Sequence, residues 1–136
     1  MKRQRNPGME RELYKVHADM CKVFSHSTRL EILNALRETE TSVSELAKRL
    51  QVAIGNLSQH LNMMKQRRVL LSRKDGNTVY YRLANPKMLQ AFDLIREILL
   101  EEMRRESVLV RHLERTRVGL PPGAVSWRWK GARSHG

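Results

Sequence analysis

At 136 residues the chain has room for one modest core plus tails, not for several domains. Its 26 Lys and Arg outnumber 14 Asp and Glu, and the resulting formal charge of +12 favours a polyanionic partner through phosphate neutralisation and counterion release, with a solvated, partnerless basic surface as the competing reading. A single cysteine excludes an intrachain disulfide, no apolar run approaches the ~20 residues that cross a bilayer, and the basic start lacks the apolar segment of a secretory signal; all three point to a cytoplasmic protein.

Residues 1–8, which include Pro7 and Gly8, read as a flexible basic arm. From Met9 the apolar positions Leu13, Val16, Met20, Val23 and Phe24 recur at helical spacing. Ser25 to Thr28 interrupt that pattern, and Thr28 with Glu31 fits a capping box for a second helix whose stripe is Leu30, Leu33 and Leu36. After a loop over 38–41, Ser42 with Glu45 fits another capping box, and Leu46, Ala47 and Leu50 supply the inner face of a third helix.

Beyond Gln51 and Val52 the spacing predicts a fourth helix over 54–67, with Ile54, Leu57, Leu61 and Met64 turned to the core. At ~100° per residue, Gly55, Asn56, Gln59, Asn62, Met63 and Gln66 then point outward, with Ser58 at the edge. That outer surface is mostly amide and holds no acid, which suits insertion into a groove. The runs 69–74 and 78–83 are β-rich and flank Asp75-Gly76-Asn77, a strong hairpin signal. Pro86 opens a last helix carrying Leu89, Phe92, Ile95, Leu99 and Met103, with the pattern running to about Leu113. Residues 116–136, basic and bearing Trp127 and Trp129, read as a disordered tail.

Two short helices joined by a tight turn and followed by a basic hairpin present one helix to the major groove and a ribbon to the backbone beside it. Asn and Gln bond adenine N6 and N7 bidentately, so Gln59, Asn56 and Ser58 are the candidate base readers. Gly55, His60, Lys65, Arg68, Arg73, Lys74, Thr78 and Tyr81 are the candidate phosphate contacts, which position without specifying sequence. For His60 a packing role stands equally open.

Helix, helix, helix–turn–helix, hairpin, helix: this order resembles the winged-helix repressors of the ArsR/SmtB family. The resemblance rests on FSHSTRLEIL (24–33), SVSELAKRL (42–50), NLSQHLNMMK (56–65) and RKDGNTVYYRLA (73–84), and covers about residues 12–105. It implies a mainly α fold with a small β-hairpin wing over 69–83, a winged helix-turn-helix domain spanning 9–115. It also implies a homodimer packed through the first and last helices, with Leu13, Val16, Met20, Leu89, Phe92, Ile95 and Leu99 at the interface. Such a protein represses transcription from an inverted-repeat operator on double-stranded DNA and is released by an effector; it needs no cofactor and associates with the nucleoid. Three departures stand out: Gln51 and Arg68 occupy places where the family usually has Gly, and Ala53 stands where Ser or Thr caps the recognition helix.

Metal-sensing members of that family carry Cys-x-Cys where this chain has Ser42 and Ser44, and serine is a poor ligand for soft metals. A second family site on the last helix finds only Asp93, Glu97, Glu101 and His112 nearby, without a histidine at the matching spacing. His17 and Cys21, four apart, with His26 just beyond, are the remaining sensor candidates, against the plainer reading of a half-buried cysteine on the dimer helix and two exposed histidines. A basic architectural protein without an operator is the alternative function. No Gly-rich phosphate loop, nucleophile–base pair or zinc-protease motif supports an enzyme.

Overall fold

The computed structural model describes residues 4–115, leaving the basic C-terminal segment with Trp127 and Trp129 outside the described residues. Helix α1 (Pro7–Cys21) starts two residues earlier than the apolar pattern predicts, because Asn6 caps it: the Asn6 Oδ1 accepts from the Gly8 and Met9 amides at 3.1 and 3.4 Å. Pro7 sits in the first turn, where its missing N–H has no partner to lose. No residue of α1 is buried. A 3₁₀ turn (Lys22–Ser25) follows and drops Val23 fully into the core.

Helix α2 (Ser27–Ala35) is capped by His26, whose Nδ1 accepts from the Thr28 amide at 3.2 Å, and not by the expected Thr28–Glu31 box. Ile32 and Leu33 of α2 are fully buried and Leu36 nearly so, whereas Leu30 is half-buried. The predicted cap at Ser42 is present: its Oγ accepts from the Glu45 amide at 3.3 Å and opens α3 (Val43–Leu50). Helix α4 (Ile54–Gln66) completes the helix–turn–helix, and α5 (Lys87–Arg115) closes the described chain.

Both α3 and α4 end the same way. Gln51 (φ 54°) and Arg68 (φ 62°) adopt the left-handed conformation, at two of the positions where the sequence departs from glycine. The amides of Val52 and Val69 then reach back to the carbonyls of Ala47 and Met64 at 3.2 and 2.9 Å, the 6→1 bond of a Schellman ending. A left-handed L-residue costs about 1–2 kcal/mol. Each of the fully buried Leu46, Leu57, Leu61, Met64 and Leu70 side chains contributes about 1.5–3 kcal/mol, so the core carries both strained endings.

A third strand joins the predicted hairpin. β1 (Thr41–Ser42) pairs antiparallel with β3 (Thr78–Leu83), which pairs with β2 (Leu70–Asp75), giving the order β1-β3-β2. The register sets Thr41 against Tyr81, Ser42 against Tyr80, and Arg73 against Tyr80. Alternation puts Leu70, Thr41 and Tyr81 on the face that meets the helices, and Arg73, Tyr80, Arg82 and Ser42 on the outer face. At the hairpin tip Gly76 (φ 60°) takes the first of two central positions, where a left-handed residue matches the twist of the strands.

The described residues divide into two units, one ending at Leu94 and the other beginning at Ile95. The core belongs to the first, with Phe92 of α5 packed into it. In the second, Ile95, Ile98, Leu99 and Met103 are exposed apolar residues of α5. No helix among the described residues is long and apolar enough to cross a membrane.

Candidate nucleic-acid interface

Helix α4 is oriented by three side chains. Leu57, Leu61 and Met64 are fully buried and fix its rotation, so Gly55, Asn56, Gln59, Asn62 and Gln66 face solvent with Ser58 at the edge, as the periodicity predicts, whereas Met63, expected outward, is half-buried and packs against the core. Ile54 departs from that prediction: it is 57% exposed. The phase is right, but packing against the core begins only at Leu57, and Ala53 offers no side-chain cap to the turn before it. A Cβ placed on Gly55 would meet nothing within 4 Å.

His60 leaves the outer face and packs against His26, ring centroids 4.4 Å apart and tilted by 47°. Because His26 Nδ1 accepts the Thr28 amide, the neutral His26 ring carries its proton on Nε2. Burial first, then the neighbouring His26 and Arg29, hold His60 below its ordinary pKa. Arg29 lies alongside, donating from Nη1 to the Lys22 carbonyl at 2.8 Å. Of the two roles open to His60, packing is what the geometry favours.

The far end of α4 is tied to α1. Arg67 donates from Nη1 to the Asp19 carbonyl at 2.9 Å and forms an ion pair with the Asp19 carboxylate. Lys65 and Arg68 beside it are exposed, with Arg68 carried outward by its left-handed backbone.

On the hairpin, Lys74 and Arg82 are exposed and Thr78 is half-exposed. Tyr81 is corrected: it is 6% exposed and belongs to the core, so its hydroxyl is not offered to phosphate, and burial pushes that hydroxyl's pKa up. The outward tyrosine is Tyr80, over whose ring the Arg73 guanidinium lies at 4.5 Å. The neighbouring Arg82 could have signalled this, since residues two apart in a strand share a face. Arg73 is not loose: its Nε donates to both carboxylate oxygens of Glu40 at 2.8 and 2.9 Å. Glu40 and Asp19 were not among the residues singled out by sequence, because each acts through a partner distant in the chain.

A helix–turn–helix with an acid-free outer face, followed by a basic hairpin, has clear counterparts. Residues 26–70 match the model of the bacterial regulatory protein arsR family. The HTH-type transcriptional regulator Rv0081 of Mycobacterium tuberculosis is 36% identical over 93 residues, 67% of this chain and 82% of that protein. The chain belongs to the arsR family. The crystal structure of Rv0081 superposes with a TM-score of 0.64 at 30% identity, covering 76% of this chain and 99% of that one. The solution structure of a homodimeric winged helix-turn-helix DNA-binding domain from Mycobacterium bovis, a possible ArsR-family regulator, gives 0.64 at 25% identity over 74% and 92%. The cadmium-resistance regulator CadC of Listeria innocua is 38% identical over 74 residues, 54% of this chain and 62% of its own. This arsR-family protein is therefore a DNA-binding transcriptional regulator with a winged helix-turn-helix fold.

Ser42 caps α3 and Ser44 is exposed. Asp93 is gripped by Arg37 through two bonds of 2.9 and 2.7 Å. Cys21, expected half-buried, is exposed on α1 as is His17, while His26, expected exposed, is half-buried against His60; among the described residues no group of three His, Cys, Asp or Glu is arranged to hold a metal ion. Of the interface residues implied by resemblance, Leu13, Val16, Met20, Ile95 and Leu99 are exposed, but Leu89 and Phe92 are 9% and 8% exposed. Those two are covered by their own chain.

Proposed function

We propose that this arsR-family regulator is a homodimeric repressor that inserts α4 into successive major grooves of an inverted-repeat operator, with Asn56, Ser58 and Gln59 at base edges. The observation that carries this reading is the outer face of α4, which presents exposed amides and no carboxylate beside a basic hairpin. Gly55, Lys65, Arg68, Lys74 and Thr78 hold phosphate at its margins, and Arg73 joins them from the wing. A second copy covers the exposed apolar residues of α1 and those of α5, Leu89 and Phe92 excepted. Residues 7–115 form the functional domain, two residues longer at its start than expected because α1 begins at Pro7, flanked by basic segments at 1–6 and 116–136, and the protein works in the cytoplasm on the nucleoid. The thiolates that would bind a soft metal at 42 and 44 are absent, so release of this repressor does not run through that place.

Gln59→Ala tests the assignment in a titration against the promoter of its own gene and a random duplex of equal length. Loss of one bidentate base contact is expected to cost about 1–3 kcal/mol on the operator and little on random DNA. Equal losses on both would remove Gln59 from base reading. Failure of the unaltered protein to prefer its promoter over random duplex would favour the architectural alternative.

A further inference from the structure

Glu40 stands just ahead of β1, on the outer face of the sheet by the same alternation that turns Ser42, Tyr80 and Arg82 outward. Its carboxylate takes both oxygens to the Arg73 Nε, and Arg73 Nη2 completes the ion pair. The Arg73 side chain thus crosses the ring of Tyr80, its partner on β3, to reach Glu40. Asp75 adds a weaker approach to Nη1 at 3.9 Å. A guanidinium gripped by two carboxylate oxygens has the geometry it would have on a phosphate. Yet the Arg73 side chain remains 53% exposed against 26% for Glu40, so the cation is open to exchange while its holder is partly covered.

We propose that Glu40 is an internal phosphate mimic that sets how strongly the wing binds DNA: it occupies the Arg73 guanidinium in the free protein and surrenders it to a backbone phosphate when the hairpin seats. Every phosphate contact made by Arg73 is therefore an exchange and not a gain from solvent. The carboxylate remains a competitor at neutral pH, since the hydrogen bonds from Arg73 hold its pKa below the ordinary value, helped by the positive charge of Arg73 and Arg82. The guanidinium lies 4.5 Å from the centre of the Tyr80 ring, a cation–π contact it can keep with either partner. The effect is indifferent to base sequence, because it acts on a phosphate contact. Glu40 is a positioning residue; it touches no DNA itself.

This inference rests on the reading of the hairpin as a phosphate-contacting wing, and a double-mutant cycle separates the two. Glu40→Gln, Arg73→Gln and the double variant are titrated with operator and random duplex at several salt concentrations. Glu40→Gln is expected to tighten both duplexes by about two- to fivefold, the range an exposed ion pair supports. It should also steepen the slope of log K against log salt by about one. In the Arg73→Gln background the same change should do nothing. If Arg73→Gln weakens binding but Glu40→Gln leaves affinity and slope unchanged, the mimic falls and the wing stands. If Arg73→Gln has no effect on either duplex, both fall. Equal tightening by Glu40→Gln with and without Arg73 would show diffuse charge repulsion and overturn the proposal. Should Arg73→Gln fail to fold by circular dichroism, Arg73→Lys replaces it. Lysine keeps the charge without the two-oxygen fit, so a Glu40 effect undiminished there would overturn the exchange.

Discussion

Glycine at 55 is not demanded by the protein itself. It lies within α4, its backbone is helical, and a Cβ would enter open space. Alanine there should stabilise the fold by about 0.5–1 kcal/mol through helix propensity. If the first turn of α4 lies against phosphate, the added methyl is expected to weaken operator binding by about 1 kcal/mol or more, as crowding in a packed contact does. Thermal unfolding and an operator titration on Gly55→Ala would thus move in opposite directions. An alanine variant that is more stable and binds as tightly as the parent would take Gly55 out of the interface. The two adjacent tyrosines show where reading single residues runs out. Tyr80 and Tyr81 are chemically identical, and only the strand register decides which one meets the core. The choice was still legible in part, since Arg82 has to face outward and Tyr81 therefore inward.

Between elements, the joint of α2 and α4 holds two histidines in tilted ring contact with Arg29 beside them. Burial, His26 and Arg29 keep the folded-state His60 below its ordinary pKa of 6.5, so the unfolded chain takes up that proton first. The stabilisation is complete above about pH 6.5 and is lost as the pH falls below it. The urea midpoint should therefore drop between pH 7.5 and 5.5 more steeply in the parent than in His60→Asn. Parallel profiles would mean that the imidazole titrates without feeling its neighbours. The helix ends were legible to different degrees. Ser42 followed by Glu45 announced a cap that the structure contains. His26 did not, because histidine is outside the usual capping set and the box at Thr28 offered itself instead. Gln51 and Arg68 stood where glycine was expected, and both adopt the left-handed backbone that glycine would have taken without strain. β1 escaped detection because two residues carry no periodicity; only β3 beside it makes Thr41 and Ser42 a strand.

For the molecule as a whole, the order of helices and the basic hairpin were readable because period 3.6 and period 2 alternate cleanly along the chain. What periodicity does not reveal is which apolar face meets its own chain and which meets another. Leu89 and Phe92 continue the α5 pattern of Ile95 and Leu99 without a break in sequence, yet the first pair is spent inside the protomer. Val16, 64% exposed on a helix with no buried residue, contributes nothing to the core. Val16→Glu should therefore unfold at nearly the parental temperature when monomeric while dissociating the dimer, with operator affinity falling by about tenfold or more as the second half-site is lost. Sedimentation velocity beside gel shift checks this; a variant that stays dimeric would move the interface away from α1. The two ends of α4 also differ mechanically. Its C-terminal end is clamped by the buried Met64 and by Arg67 on Asp19, while its N-terminal turn has an uncapped Ala53 and an Ile54 outside the core. On the proposed reading α4 meets the groove with the turn the core holds least, so Gly55 and Asn56, just ahead of the buried Leu57, are where the helix adjusts to the bases.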